Sequence, residues 1–262
     1  MVFHQDGHDS GALTKGRQAA ARSLELDPSL AEANAAAGSY AALDWNWPEA
    51  ERRFRRAVEL NPDWAQGHLM FSIMYLVPMR QFPEAVQEAF RAHSLDPLTT
   101  VTRTMLAEVL YFNRDYARAI AESEDLRKGA AGPPTDRAYL LSLSLSGQGQ
   151  RALSAWQAPA GRGEDPLGLS LHGYLLARHG DRAQALAIRT RLAAEAKTSN
   201  IPSVSLALVS TGLGDNDEAL RQLGIAVANH SPLASQIAAD PLFEPLRKDP
   251  RFTDLLRQMG LH

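Results

Sequence analysis

Few residues in this chain stand at spacings that could support chemistry, and each has a plainer structural use. Gly147 to Ala152 (GQGQRA) imitates a glycine-rich phosphate loop, which works only where a strand delivers the glycines to a helix N-terminus. The preceding LLSLSLS reads as a helix, so the glycines are expected to make a turn. His4 and His8 have the four-residue separation of a helical metal pair, but their segment has no helical pattern and no third ligand at a fixed spacing. His172 and His179 fall on one expected helix and read as packing histidines. Asp215 to Glu218 (DNDE) resembles part of a calcium loop without the glycine at its sixth place or the distal glutamate, so helix capping is the better account. No Ser/His/Asp set lies in a recognisable motif. Arg52, Arg53, Arg55 and Arg56 form the densest basic cluster, diluted by Glu49, Glu51 and Glu59 and lacking the stacking aromatics of a nucleic-acid surface. No catalytic residue, cofactor or metal site is therefore expected.

The elements that carry these residues are helical. In Leu43 to Gly67, the apolar or small positions Ala50, Phe54, Ala57, Val58 and Leu60 recur at threes and fours, which places them on one helix face. Asn61-Pro62 then ends one helix and opens the next, because proline disfavours helical backbone before it and tolerates the first helical turn after it. Asp27-Pro28, Asn61-Pro62 and Asp96-Pro97 each follow a leucine, and their prolines stand 34 and 35 residues apart. Two short helices per period of about 34 residues make a stacked array of helical hairpins.

At this point the sequence resembles the tetratricopeptide repeat (TPR) family. The family's small, aromatic and small positions on the second helix read Ala50, Phe54 and Ala57 in the first unit. In the second they read Ala85, Ala89 with Phe90 beside it, and Ala92. The Leu-Gly pair of the first helix is matched more loosely by Ala37-Gly38 and Phe71-Ser72. The expected fold is an all-α solenoid of about six TPR-like hairpins with a short helical C-terminal cap. It divides into a disordered start (1–10), a regular array of a half unit and three units (11–128), an irregular unit and loop (129–166), two further units (167–229) and the cap (230–262). The half unit, Ala12 to Leu26, reads as a second helix without its first, either because a longer parent chain was cut or re-started there or because a terminal repeat has degenerated.

Composition is that of ordinary globular protein: 262 residues, 45% hydrophobic and 22% charged, with a net charge of −3. That balance gives no reason to expect nucleic acid as partner. Cysteine is absent, which removes disulfides and thiol chemistry. No apolar run is long enough to span a membrane, and the N-terminus lacks the pattern of an export signal, so a cytoplasmic location is expected, or a periplasmic one if a parent chain carries an upstream membrane helix.

The tail DPLFEPLRKDPRFTDLLRQMGL, with LDWNWPEAERRFRRAVELNP upstream, resembles the C-terminal TPR region of bacterial multidomain signalling proteins. Their N-terminal effectors are winged-helix domains, class III adenylate or guanylate cyclases, or serine/threonine kinases. The resemblance implies a non-catalytic interaction scaffold or sensory region that binds a protein or peptide on its concave face. Carried over by position, the groove residues are Ser39 and Leu43 in unit one, and Gln66, Leu69, Ile73 and Leu76 in unit two. In unit three they are Thr104, Glu108, Tyr111 and Phe112, and in unit four Arg137 and Leu141. Two alternatives stand beside this reading. The uncapped helix at Ala12 to Leu26 would pair with a second copy, making a homo-oligomer, or an enzyme site would lie in the irregular stretch Pro133 to Pro166.

Overall fold

The computed structural model describes residues 10–129, 137–156, 165–196 and 203–262. Expectations for residues 1–9, including the histidine pair, and for the loops at 130–136 and 157–164 lie outside these residues. Among the described residues every regular element is a helix.

Helix α1 (Ser10–Leu26) precedes six hairpins. They pair α2 (Ala31–Leu43) with α3 (Trp47–Leu60), α4 (Ala65–Phe71) with α5 (Phe82–Leu95), and α6 (Thr100–Phe112) with α7 (Tyr116–Gly129). The last three pair α8 (Arg137–Leu145) with α9 (Gly149–Ala155), α10 (Pro166–His179) with α11 (Arg182–Glu195), and α12 (Ser203–Leu213) with α13 (Asn216–Ala228). Two 3-10 turns, Pro232–Gln236 and Pro241–Leu246, lead to α14 (Pro250–Gln258).

Small residues set the helix spacing. Ala50, Ala57, Ala85 and Ala92 are fully buried, and Phe54 fills the space beside them. Gly38 on α2 lies against that ring, since a Cβ there would meet Phe54 Cδ2 at 3.2 Å. Ser72 takes the corresponding place in the second hairpin, where its hydroxyl donates to the Ala85 carbonyl at 2.7 Å. The first helix of that hairpin does not stay α-helical: Ser72–Leu76 forms a π turn. A π turn takes up one residue more than the α-helical turn it replaces, and this unit is the one of 35 residues.

The four arginines of α3 are tied to glutamates. Arg52 and Arg53 reach Glu49, Arg56 reaches Glu59, and Arg55 spans Glu51 and Glu84 of the next hairpin while lying over the Phe71 ring at 5.2 Å. Arg55 bridges two hairpins and the others pair with glutamates of α3, so the cluster is charge-compensated rather than a basic patch.

The tail does more than close the last hairpin. Trp47 Nε1 of the first hairpin donates to the Met259 carbonyl at 2.6 Å, Trp45 stacks on His230 at 4.1 Å, and Arg114 pairs with Glu244 at 2.5 Å. One apolar core runs from Ala35 through Phe243 and Phe252 to Leu261. The solenoid is thus closed head to tail, with its inner face partly filled by its own C-terminal segment.

Candidate functional site

The inner helices α2, α4 with its π turn, α6, α8, α10 and α12 surround a central cavity of about 570 Å³ whose remaining wall is the tail. Its lining is chiefly apolar: Leu43, Ile73, Met105, Leu171, Leu208 and Phe243 contribute from six different elements. Pockets of about 300–1,000 Å³ with a few placed polar groups are the usual form of ligand sites.

One charged cluster borders the cavity. Arg137, at the start of α8, reaches both Glu108 of α6 and Asp240 of the tail, and its guanidinium lies over the Tyr111 ring at 5.1 Å. Asp240 also accepts the Tyr111 hydroxyl at 2.6 Å and the Leu242 amide at 3.0 Å. The Asp240 and Glu108 side chains are only 7% and 14% exposed, which makes this a largely desolvated ion-pair network. Burial drives the Tyr111 hydroxyl well above its ordinary pKa, with the Asp240 charge beside it adding to the effect. Burial alone would lower the pKa of Arg137, yet the Asp240 and Glu108 carboxylates outweigh it and hold the guanidinium charged.

Among the described residues, the lining atoms Trp156 Nε1 and Ser205 Oγ are buried and have no hydrogen-bond partner. The Trp156 ring stacks on His172 at 5.1 Å, and burial depresses the pKa of that histidine. His179 is also depressed by burial, and its Nε2 lies 2.6 Å from Ser144 Oγ. Both histidines are packing groups in this arrangement.

The expected groove residues separate into two sets. Leu43, Ile73, Thr104, Glu108 and Arg137 line the cavity. Leu69, Leu76, Tyr111, Phe112 and Leu141 are buried at 3% exposure or less, so the expectation that they face a partner across an open groove is corrected. The physical reason is bulk: large apolar side chains on inner helices are consumed by neighbouring hairpins and by the tail, as the Tyr111–Asp240 bond shows. Ser39 is half-buried and donates to the Ala35 carbonyl, and Gln66 is exposed; neither lines the cavity. The tail residues Leu233, Ile237, Asp240 and Phe243 were missed, because counting from the first helices reaches no residue outside the repeats.

The remaining chemical candidates resolve as structure. Gly147 sits at φ 85° in the turn between α8 and α9. Asp215 caps α13 through the Glu218 amide and pairs with Arg189 at 2.6 Å. Among the described residues no group of three or more His, Asp or Glu side chains is placed to hold a metal ion, and no helix is long and apolar enough to cross a membrane.

No family model matches the chain, and no curated protein sequence matches it. Among solved structures it is similar to one of Naa15/Naa10 bound to HypK-THB, at 16% identity and a TM-score of 0.43 over 94% of this chain. The chain spans 40% of that neighbour's length. It is also similar to the P58(IPK) TPR domain, at 12% identity and a TM-score of 0.34, over 96% of this chain and 80% of that one. At scores this low the solenoid assignment rests on the observed hairpins and not on these neighbours.

Proposed function

We propose that this chain is a non-catalytic binding module that takes an apolar segment of a protein or peptide into its central cavity. The observation that carries this reading is the cavity of about 570 Å³ where the inner helices of all six hairpins meet the tail. A ligand seated there touches every hairpin at once, so its differential affinity for two arrangements of the ring would bias the whole array. In a longer parent of the bacterial signalling type, that bias would pass to an effector domain, in the cytoplasm or periplasm. Trp156 Nε1 and Ser205 Oγ support a ligand with polar as well as apolar atoms, since each unpaired buried group costs about 1–3 kcal/mol that a ligand acceptor could recover after a side-chain rotation.

The test is a peptide-display selection on the wild type, followed by binding of the enriched peptides to Leu208→Trp, which fills the cavity, and to Arg56→Glu on the outer face. Enriched peptides should lose binding to the first variant and keep it for the second. Equal binding to both variants would reject the cavity as the site.

A second reading, pairing of two copies through α1, is favoured by the exposure of Leu13 at 44% and Leu26 at 70% on that helix. Sedimentation at micromolar concentration should then show a dimer that Leu26→Lys dissolves, and a wild-type monomer would remove this reading.

A further inference from the structure

The turns between paired helices place one residue in left-handed backbone: Trp45 (φ 58°), Arg80 (φ 58°) and Arg114 (φ 63°) in the first three hairpins, Gly147 and Gly214 in the fourth and sixth. Glycine holds this conformation freely, whereas other residues resist it by about 1 kcal/mol or more. Two of the three large side chains are used against the C-terminal segment. Trp45 stacks on His230 and Arg114 pairs with Glu244.

Arg80 breaks the pattern. It is exposed, it stands on the same edge, and no hydrogen bond or ion pair joins its guanidinium to any described residue. It lines a pocket of about 350 Å³ with Arg247 and Arg257, and among the described residues no acidic side chain belongs to that lining. Arg247 is 17% exposed and anchored, donating to Glu244 at 2.9 Å and to the Ala238 carbonyl at 2.6 Å. Arg257 is held by Asp254 at 2.6 Å. Burial lowers the pKa of Arg247 and the Arg80 charge adds to the effect, while Glu244 opposes it. His262 also lines the pocket.

We propose that the pocket between Arg80, Arg247 and Arg257 is a phosphate site, taking free phosphate or the phosphate group of a small phosphomonoester. Arginines from three separate elements line this one pocket, and guanidinium groups pair strongly with phosphate oxygens, of which a tetrahedral phosphate offers more to surrounding donors than a carboxylate does. A bound dianion would supply the partner that Arg80 lacks and relieve its repulsion of Arg247. This site lies apart from the central cavity and does not depend on what that cavity binds.

The experiment is calorimetric titration of the full chain with inorganic phosphate and with phenyl phosphate, at constant ionic strength in chloride. Wild type should bind saturably at millimolar concentration or better. Arg80→Asn, which suits left-handed backbone while removing the charge, should weaken binding about tenfold or more, and Arg257→Gln should weaken it as well. Without phosphate, Arg80→Asn should leave the melting temperature unchanged or raise it, which separates lost affinity from lost folding. Tighter binding of phenyl phosphate would identify an organic phosphate as the ligand, and equal or weaker binding would identify the free ion. No saturable binding by the wild type, or equal affinity in Arg80→Asn, overturns the proposal.

Discussion

Replacing Asp240 with asparagine tests how firmly the tail is built into the ring. The carboxylate receives the Tyr111 hydroxyl, the Leu242 amide and the Arg137 guanidinium, and its side chain is 7% exposed. Asparagine preserves its shape and one acceptor oxygen, so the bonds from Tyr111 and Leu242 can survive while the charge opposite Arg137 is lost. Removing one partner of a buried ion pair typically costs about 3–5 kcal/mol. Here Arg137 keeps Glu108, and its own side chain is 35% exposed, so water and the second carboxylate recover part of that loss. The expected cost is about 2 kcal/mol. With a urea m-value near 2–3 kcal/mol/M, the unfolding midpoint should fall by roughly 0.7–1 M. Circular dichroism and tryptophan fluorescence followed together would show whether the ring melts as one unit, which an array of repeats need not do. Glu25→Gln, at the exposed pair with Arg22, is the control and should move the midpoint by a small fraction of that amount. A midpoint for Asp240→Asn no lower than that of Glu25→Gln would refute the reasoning, because the cluster would then contribute nothing beyond a surface pair.

The corrected inner face leads to a second expectation: Leu69→Glu and Tyr111→Glu should each lower stability by about 4 kcal/mol or more, detected as lost helical circular dichroism at moderate urea, because each would bury an unpaired charge. Phe54→Ala should cost about 3–5 kcal/mol in the same assay, since the ring is wholly buried between Gly38 and the alanines of α3. His68 gives a pH dependence. Its bond to Glu88 at 2.5 Å is the largest influence raising its pKa above 6.5, outweighing burial. Stability from this group is therefore complete below about pH 6.5 and is lost as the pH rises through the folded-state value. The stability difference between wild type and His68→Gln should shrink between about pH 5 and pH 9, and a difference constant across that range would contradict the assignment.

What the sequence disclosed was the part of the fold governed by short range. Ala50, Phe54 and Ala57 interact within one hairpin, and Asn61-Pro62 acts on its own neighbours, so a period and a face suffice to place them. Asp215 was legible as a cap for the same reason, since it accepts from the amide three residues on. The ring closure was not legible. The Arg137–Asp240 and Trp47–Met259 pairs join residues 103 and 212 positions apart, and no local pattern reports such a pairing. A signal did exist in bulk composition: an inner face carrying Leu76, Tyr111 and Phe112 is too apolar to stay in water, and the tail carries the matching Leu242, Phe243 and Leu246. The candidate site inherited that limitation, since five of its residues line the cavity while five others became core.

The central claim is that the tail closes the ring and forms a wall of the cavity. Native-state hydrogen exchange of the Leu242 amide, which donates to Asp240 at 3.0 Å, tests it most directly. Exchange should require an opening free energy close to that of global unfolding, as for amides of the core helices. Exchange at the rate of an unstructured chain, with the inner helices still protected, would contradict the closed ring.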